Sequence, residues 1–367
     1  MKIINFEDKF ECENYDKHIN KCKLSFIQQS TKWGKIVNGI SGDIPKFFYA
    51  EYAEGLITCS MYLYKGEYGN IMVSNIQAGN IGCISYQGES GGKESAYRKM
   101  IESVVDEARN CNCMLVTITS NPFDDDLDLI KRYLDPSMGM KSFVSSIYLD
   151  DYFDEDGNVT YRDYNRRSNL SRNIKKSYRN NFEFYSSNNV EDMLYWYNNI
   201  HCKRLCELGG QPLPVDIFMN VLSAKGFKDN YRMFYVKHSG KIVGGDLCVF
   251  NEKGIFENFM MSTDSELHDT GLNYFLTDNL LKWCWSNDMI IYDWQSTWPP
   301  NGGIFRFKKQ WGSISYDYSY CCRILDSEKV SRLSNMSHSC VNASYKGHFV
   351  VPYQFLTTRE AKFYDKE

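Results

Sequence analysis

Residues 231–261 read YRMFYVKHSGKIVGGDLCVFNEKGIFENFMM, and this stretch is the clearest indication of the fold. It contains three runs rich in β-branched and aromatic residues, which are typical of strands. Ser239-Gly240 separates the first two runs and Asn251–Gly254 separates the last two, and both connections carry residues that suit tight hairpins. The sequence therefore predicts a meander of strands at Tyr231–His238, Lys241–Phe250 and Ile255–Met261.

Helices and strands are predicted on both sides of this meander. Upstream, apolar residues recur at helical spacing from Val190 to the Gly209-Gly210 stop, and again over Val215–Lys225. Downstream, the pattern predicts a helix at Gly271–Asn287, a short buried strand at Met289–Asp293, a helix at Ile304–Gln310 and a strand at Ser313–Ile324. The resulting order is α-α-β-β-β-α-β-α-β.

The first half of the chain repeats part of this order. Strands are predicted at Lys46–Ala53, Leu56–Tyr64, Met114–Thr119 and Phe143–Leu149, and helices at Ser95–Asn110 and Asp124–Leu134. Equivalent elements are offset by about 175 residues, as expected for a duplicated domain, although two unrelated α/β units would also fit. The acidic stretch Asp150–Asn158 is the predicted boundary.

We therefore expect an α/β protein with two similar domains, at 1–150 and 151–330, and a C-terminal tail at 331–367. Each domain should hold a mixed, largely antiparallel sheet flanked by helices.

Composition excludes several classes of protein. Hydrophobic residues make up 43% and charged residues 24%, which excludes a fully disordered chain. The net charge of −4 excludes a general polycation, so nucleic acid would need a local basic patch. The N-terminus turns acidic before an apolar segment forms, and no run is long enough to span a membrane, so we expect a cytoplasmic protein. The 13 cysteines should then be reduced, and their spacing predicts no metal site.

Three motifs resemble the Fem-type (FemAB-like) transferases, which carry two GNAT-fold domains in tandem. The opening motif is FIQQSTKWGK at Phe26–Lys35. A basic helix, RNIKKS at Arg172–Ser177, leads into the second domain. The terminal motif is YDW at Tyr292–Trp294 followed by GIFRFKKQWG at Gly303–Gly312. Together the three motifs span most of residues 24–324.

The resemblance implies an acyltransferase. Family members transfer an amino acid from aminoacyl-tRNA onto peptidoglycan precursor peptides, and relatives in polysaccharide gene clusters are thought to use acyl-CoA. We therefore expect amide formation on an amine of a cell-envelope glycan or peptidoglycan precursor, nucleotide-linked or lipid-linked. Acyl-CoA or aminoacyl-tRNA would be the co-substrate, with no tightly bound cofactor. The alternatives are an acetyl-CoA-dependent N-acetyltransferase acting on an amino sugar or nucleotide sugar, and a non-catalytic binding module.

The sequence departs from the family pattern in two places. It has no charged heptad stretch for the long coiled coil that some tRNA-dependent Fem enzymes insert. The pyrophosphate loop of GNAT enzymes, Q/R-x-x-G-x-G/A, is reduced at Leu267–Leu272 to Gly271. Neither departure decides between the two donors.

Three residues are candidates for catalysis. Lys308 corresponds to the lysine of the terminal motif and would stabilise the oxyanion of the tetrahedral intermediate, unless it is a surface lysine whose stem packs on Trp311. Asp293 ends the short buried strand, where it would accept the amine proton or hold the acceptor, or else cap the following loop. Glu257 is either a base on its strand or, by alternation, a solvent-facing residue.

The candidates for substrate binding are more scattered. Gly271 opens a helix whose N-terminus would suit a phosphate, or it serves only the turn. Arg172, Lys175 and Arg179 fall on one face of the predicted basic helix and would hold a diphosphate or an RNA end, unless they are merely solvated. The remaining candidates are Lys35 and Arg204, which resemble the family's diphosphate contacts, and Tyr274, Trp294 and Trp298, which would stack on a sugar or base or pack in the core.

Overall fold

The structure is a computed structural model that describes residues 1–74, 81–210, 212–223, 229–296 and 302–345. Along the chain the strands are β1 (Lys2–Ile3), β2 (Ile44–Tyr52), β3 (Gly55–Gly66), β4 (Gly69–Val73), β5 (Ile84–Gly88), β6 (Cys113–Thr119), β7 (Met138–Tyr148), β8 (Glu183–Ser186), β9 (Tyr231–His238), β10 (Lys241–Phe250), β11 (Ile255–Thr263), β12 (Ile291–Ser296) and β13 (Ile314–Ile324).

The helices lie mainly between these strands. They are α1 (Lys9–Lys21), α2 (Thr31–Ser41), α3 (Ser90–Asn110), α4 (Leu127–Leu134), α5 (Leu149–Tyr152), α6 (Arg162–Asn165), α7 (Asn169–Ser177), α8 (Val190–Trp196), α9 (Cys202–Glu207), α10 (Val215–Ser223), α11 (Leu272–Ser286), α12 (Gly303–Gln310), α13 (Ser327–Ser334) and α14 (His338–Tyr345). A π-helical turn, Tyr197–His201, joins α8 to α9. Within the described residues, no helix is both long enough and apolar enough to cross a bilayer.

The chain forms two compact units. The first contains Met1–Phe143 and the chain from Tyr316 onward, and the second contains Val144–Ser315. The sequence analysis placed the boundaries at 150/151 and 330/331 instead. The chain passes from one unit to the other inside a strand, first in β7 and then in β13, so the acidic loop after β7 lies within the second unit.

The second unit is built on the predicted meander. Its strand order is β7-β12-β11-β10-β9-β8, and only the β11–β12 pair is parallel. The hairpin between β9 and β10 turns at Ser239 and Gly240, with φ of +51° and +77°, as the Ser-Gly pair predicts. The predicted mixed, largely antiparallel sheet is confirmed.

The first unit has the same plan. Its strand order is β1-β2-β3-β4-β6-β13, with β5 on the free part of β3, and only β4 and β6 are parallel. The order β4-α3-β6-α4-β7 therefore corresponds to the order β11-α11-β12-α12-β13. The last strand of the first repeat, β7, pairs from Val144 onward with β12 of the second unit. The last strand of the second repeat, β13, pairs with β6 of the first unit. This exchange of strands is why the units do not divide at the acidic loop.

The core of the second unit lies between its sheet and α11. Side chains alternate along β11 and β12, so Phe256 and Tyr292 face α11 and stack with ring centroids 5.5 Å apart. Trp283 of α11 packs on Phe256 at 5.5 Å. The neighbours Glu257 and Asp293 consequently point to the opposite face of the sheet.

One carboxyl group is buried on the α11 face. Asp246 of β10 is fully buried, and neither of its oxygens has a hydrogen-bond partner of normal geometry among the described residues. Burial raises the pKa of Asp246 to about 8, because the charged form loses its hydration. Asp246 therefore keeps its proton at neutral pH.

We predict that Asp246 makes folding stability fall as pH rises from about 4 to 8. The unfolded chain releases this proton near pH 4 and the folded chain retains it to about pH 8, so unfolding releases a proton in this range. The free energy of unfolding should fall by about 1.4 kcal/mol per pH unit more in the wild type than in Asp246→Asn. Urea unfolding at several pH values measures the difference, with Asp150→Asn, at an exposed position, as the control. Parallel pH dependence in wild type and Asp246→Asn would contradict a neutral Asp246.

Candidate active site

The parallel strands β11 and β12 stop pairing where polar residues begin. They pair at Ile255–Ile291, Phe256–Tyr292 and Glu257–Asp293, although both strands continue beyond. Just past this point β11 bulges against β10, and β12 shifts register against β7. The last pair, Glu257–Asp293, therefore lies where the backbone edges of two parallel strands become available, as at ligand sites in other α/β sheets.

Asp293 is buried at the centre of this point. It pairs in register with Ser146 of β7, whose hydroxyl donates to Oδ1 at 2.6 Å. Burial raises the pKa of Asp293 to about 6, whereas the Ser146 hydroxyl, the Lys308 ammonium and the Gln295 backbone N–H favour the ionised form. The residue is thus a carboxylate at neutral pH that takes up a proton just below it.

Lys308 approaches the same place from α12. Its side chain is only 6% exposed, so the alternative of a surface lysine on an exposed helix is wrong. Nζ donates to the Trp294 carbonyl at 2.7 Å and lies 3.5 Å from the Gln295 carbonyl oxygen. Burial lowers the pKa of Lys308 to about 8, and the Asp293 carboxylate opposes this shift. An ammonium and a carboxylate are therefore buried near each other, and each titrates near neutrality.

Glu257 completes the row of buried polar side chains. It is fully buried, so the solvent-facing alternative drawn from strand alternation is wrong, because both faces of this sheet are covered. The Gln295 side-chain amide donates to Glu257 Oε1 at 3.1 Å. The register thus brings together Glu257, Asp293 and Ser146 on three neighbouring strands.

Two predicted aromatic contacts lie beside this row. Trp294 is a buried core residue whose ring meets Tyr292 edge-on at 4.8 Å. Tyr274 of α11 is half-buried, and its hydroxyl donates to Gln310 at 3.0 Å. Trp298 lies outside the described residues.

The N-terminus of α11 is covered by α7. Gly271 has φ of +87°, which favours glycine, and a Cβ there would lie 3.0 Å from Ser177 Cβ and 3.1 Å from the Asn173 carbonyl oxygen. Turn geometry and close packing thus both account for this glycine.

An acidic 3₁₀ turn, Ser265–Thr270, stands where GNAT enzymes carry the pyrophosphate loop. It is held to α9 by a Glu266–Lys203 ion pair at 3.1 Å and by a Ser265–Glu207 hydrogen bond at 3.0 Å. With Asp264 and Asp269 at its ends, the turn adds negative charge next to the helix N-terminus.

The predicted basic segment is exposed on and after α7. Arg172, Lys175 and Lys176 lie on the helix, but Arg179 follows its end, so the prediction that Arg172, Lys175 and Arg179 share one helical face is wrong for Arg179. The helix ends at Ser177, the residue that lies against Gly271. None of these cations takes part in an ion pair with another described residue.

The other two predicted cations differ in their surroundings. Lys35 is exposed on α2 of the first unit. Arg204 on α9 of the second unit is half-buried and pairs with Glu207 at 3.0 Å. Across the described ranges, no three His, Cys, Asp or Glu side chains are grouped as a metal site would need.

Sequence reasoning missed Ser146 and Gln295. Ser146 gave no signal because its role depends on β7 pairing with a strand about 150 residues later. Gln295 follows the YDW motif directly, but its left-handed backbone, with φ of +57°, is not apparent from a glutamine in sequence.

The comparisons with known proteins agree on the fold. Residues 164–309 match the family model described as an acetyltransferase (GNAT) domain. The chain is similar to the crystal structure of FemX, with a TM-score of 0.68 at 12% identity, over 90% of this chain and 99% of that chain. A search of curated proteins finds no match.

Two further structures are similar to this chain over most of its length. The C-terminal domain of a putative lysylphosphatidylglycerol synthetase from Agrobacterium fabrum gives a TM-score of 0.57 at 9% identity, over 91% of this chain and 98% of that chain. The structure of L-PGS from Bacillus licheniformis gives a TM-score of 0.53 at 12% identity, over 90% of this chain and 96% of that chain. The resemblance inferred from the three motifs is thereby confirmed for the fold: the chain has a fold similar to that of FemX, and residues 164–309 match an acetyltransferase (GNAT) domain.

Proposed function

We propose that this protein is an acyl or aminoacyl transferase that forms an amide on an amine, with Asp293 and Lys308 as its catalytic pair. The observation that carries the proposal is the burial of these two residues where β11 and β12 stop pairing, with a pKa of about 6 for Asp293 and about 8 for Lys308. Residues with such shifts at the ends of strands are suited to proton transfer and to charge stabilisation.

The reaction assigns one step to each residue. The acceptor amine attacks the carbonyl carbon of the donor ester or thioester, and the C–N bond forms as the carbonyl becomes an oxyanion. The Lys308 ammonium stabilises that oxyanion, and Asp293 takes the proton that the amine loses. When the tetrahedral intermediate collapses, the bond to the alcohol or thiol breaks, and Asp293 returns the proton it took from the amine to the leaving oxygen or sulfur. Glu257 is placed to orient the amine beside Asp293.

The acceptor we propose is an amine on a cell-envelope glycan or peptidoglycan precursor. This rests on the Fem-type motifs and on the similarity to FemX. The exposed Lys35 would contact the diphosphate of a nucleotide-linked or lipid-linked precursor. Arg204 is a weaker candidate, because Glu207 already pairs with its guanidinium.

For the donor we favour aminoacyl-tRNA over acyl-CoA. Helix α7 covers the N-terminus of α11, and the acidic turn beside it opposes a pyrophosphate. The exposed cations Arg172, Lys175 and Arg179, which form no ion pair with a described residue, offer a surface for an RNA backbone instead. Acetyl-CoA remains the second candidate, because the family model that matches residues 164–309 describes an acetyltransferase domain.

We expect the purified protein to transfer an aminoacyl group from charged tRNA to a nucleotide-linked or lipid-linked muropeptide precursor. Prior RNase treatment should abolish transfer, and RNase with its inhibitor should not. Mass spectrometry of the acceptor measures both results. Turnover with acetyl-CoA that survives RNase would instead establish the second candidate, and no transfer to any amine from either donor would contradict an acyltransferase.

The pair predicts a bell-shaped dependence of kcat/KM on pH. Asp293 must be ionised, so activity falls below about pH 6, and Lys308 must be protonated, so activity falls above about pH 8. Lys308→Arg should move the alkaline limb upward, since a guanidinium stays charged. Lys308→Met should lower kcat about 10²–10³-fold. Lys309→Met, on the exposed side of α12, is the matched control. An alkaline limb that stays in place in Lys308→Arg would remove Lys308 from the mechanism.

We predict that reversing charge in the basic segment weakens binding of the donor. Lys175→Glu with Arg179→Glu should raise KM for charged tRNA at least 10-fold at low salt, and the effect should shrink as salt screens the charges. Lys65→Glu with Lys241→Glu, at two exposed lysines elsewhere, makes the same change in net charge and should leave KM unaltered. Equal effects of the two double variants would show that only net charge matters.

A further inference from the structure

Gln295 has a backbone conformation that few residues other than glycine adopt. Its φ is +57°, within a strand, where β12 shifts register against β7. The other non-glycine residues with positive φ, among those described, lie outside strands. Such strain is retained where the surrounding contacts require it.

The contacts of Gln295 reach all three ionisable groups of the candidate site. Its side-chain amide donates to Glu257 Oε1 at 3.1 Å. Its carbonyl oxygen lies 3.5 Å from Lys308 Nζ. Its backbone N–H favours the ionised form of Asp293.

The left-handed backbone explains how one ammonium meets two consecutive carbonyls. In a regular strand, successive carbonyls point in opposite directions. Here the Trp294 oxygen is 2.7 Å from Lys308 Nζ, and the turn at Gln295 brings the next carbonyl toward the same atom. A regular strand would offer Lys308 only one of them.

We propose that Gln295 is a positioning residue that holds Glu257 through its side chain and Lys308 through its backbone, an inference that rests on the proposed acyl transfer at this site. Its two roles are separable, because one depends on the amide group and the other on the backbone conformation.

Two substitutions separate the roles. Gln295→Gly removes the amide but adopts positive φ without strain, so the backbone contact with Lys308 is kept. Gln295→Val removes the amide and also disfavours positive φ, so both contacts are lost. With charged tRNA and the muropeptide precursor, Gln295→Gly should lower kcat about 10- to 100-fold, with KM within twofold and the alkaline limb unmoved. Gln295→Val should also shift the alkaline limb to lower pH, because an ammonium that loses an acceptor is easier to deprotonate.

A readout independent of activity accompanies the kinetics. In protein labelled with ¹³C at lysine Cε, the Lys308 signal, assigned with Lys308→Met, should titrate at the wild-type pH in Gln295→Gly and at lower pH in Gln295→Val. Wild-type kcat in Gln295→Gly, or equal Lys308 titration in all three proteins, would overturn the proposal. If Gln295→Val fails to fold, the comparison of Gln295→Gly with wild type still tests the amide. A wild type that transfers nothing would instead refute the proposed function, and the titrations would still decide the backbone role.

Discussion

The short pairing between β11 and β12 is the constraint on which the rest of the site depends. Because the two parallel strands are in register for only three residues, their backbones become irregular at Glu257 and Asp293. In this irregular stretch Gln295 has a left-handed backbone, and the carbonyls of Trp294 and Gln295 both point toward Lys308. A fully paired sheet would offer the ammonium only one of these carbonyls and would leave no open strand edge for a substrate.

Neighbouring groups account for the different pKa values of two buried carboxyls in this unit, Asp246 and Asp293. Asp246 and Asp293 are both fully buried, yet the pKa is about 8 for Asp246 and about 6 for Asp293. Asp246 has the Cys248 thiol and the Met260 backbone N–H beside it, whereas Asp293 has the Ser146 hydroxyl and also the charge of Lys308. The difference of two pKa units corresponds to roughly 3 kcal/mol in favour of the ionised form. Burial thus keeps Asp246 neutral, while the same burial leaves Asp293 able to exchange a proton near neutral pH.

Local signals in the sequence predicted much of the fold. The hairpin residues predicted the bounds of β9, β10 and β11 to within two residues of those observed. The repeated order of elements predicted the duplication. The exchange of β7 and β13 was not predictable, because it depends on pairing between strands far apart in the chain. Strands β4 and β5 were missed, since each is only five residues long and carries little periodicity.

The candidate site was predictable only in part. The Fem-type motif pointed to Asp293 and Lys308, and the structure buries both near each other. The sequence suggested an exposed helix for Lys308, because its neighbours Arg306 and Lys309 are charged, and it could not show that this one position faces inward. Ser146 and Gln295 act through register and backbone conformation, which single residues do not reveal.

The central claim is that Asp293 and Lys308 act as one unit in acyl transfer. A double-mutant cycle of kcat with Asp293→Asn, Lys308→Met and the double variant tests it most directly. If the pair works together, the double variant should lose about as much activity as the more damaged single variant. Losses that multiply, so that each residue contributes independently, would contradict the account.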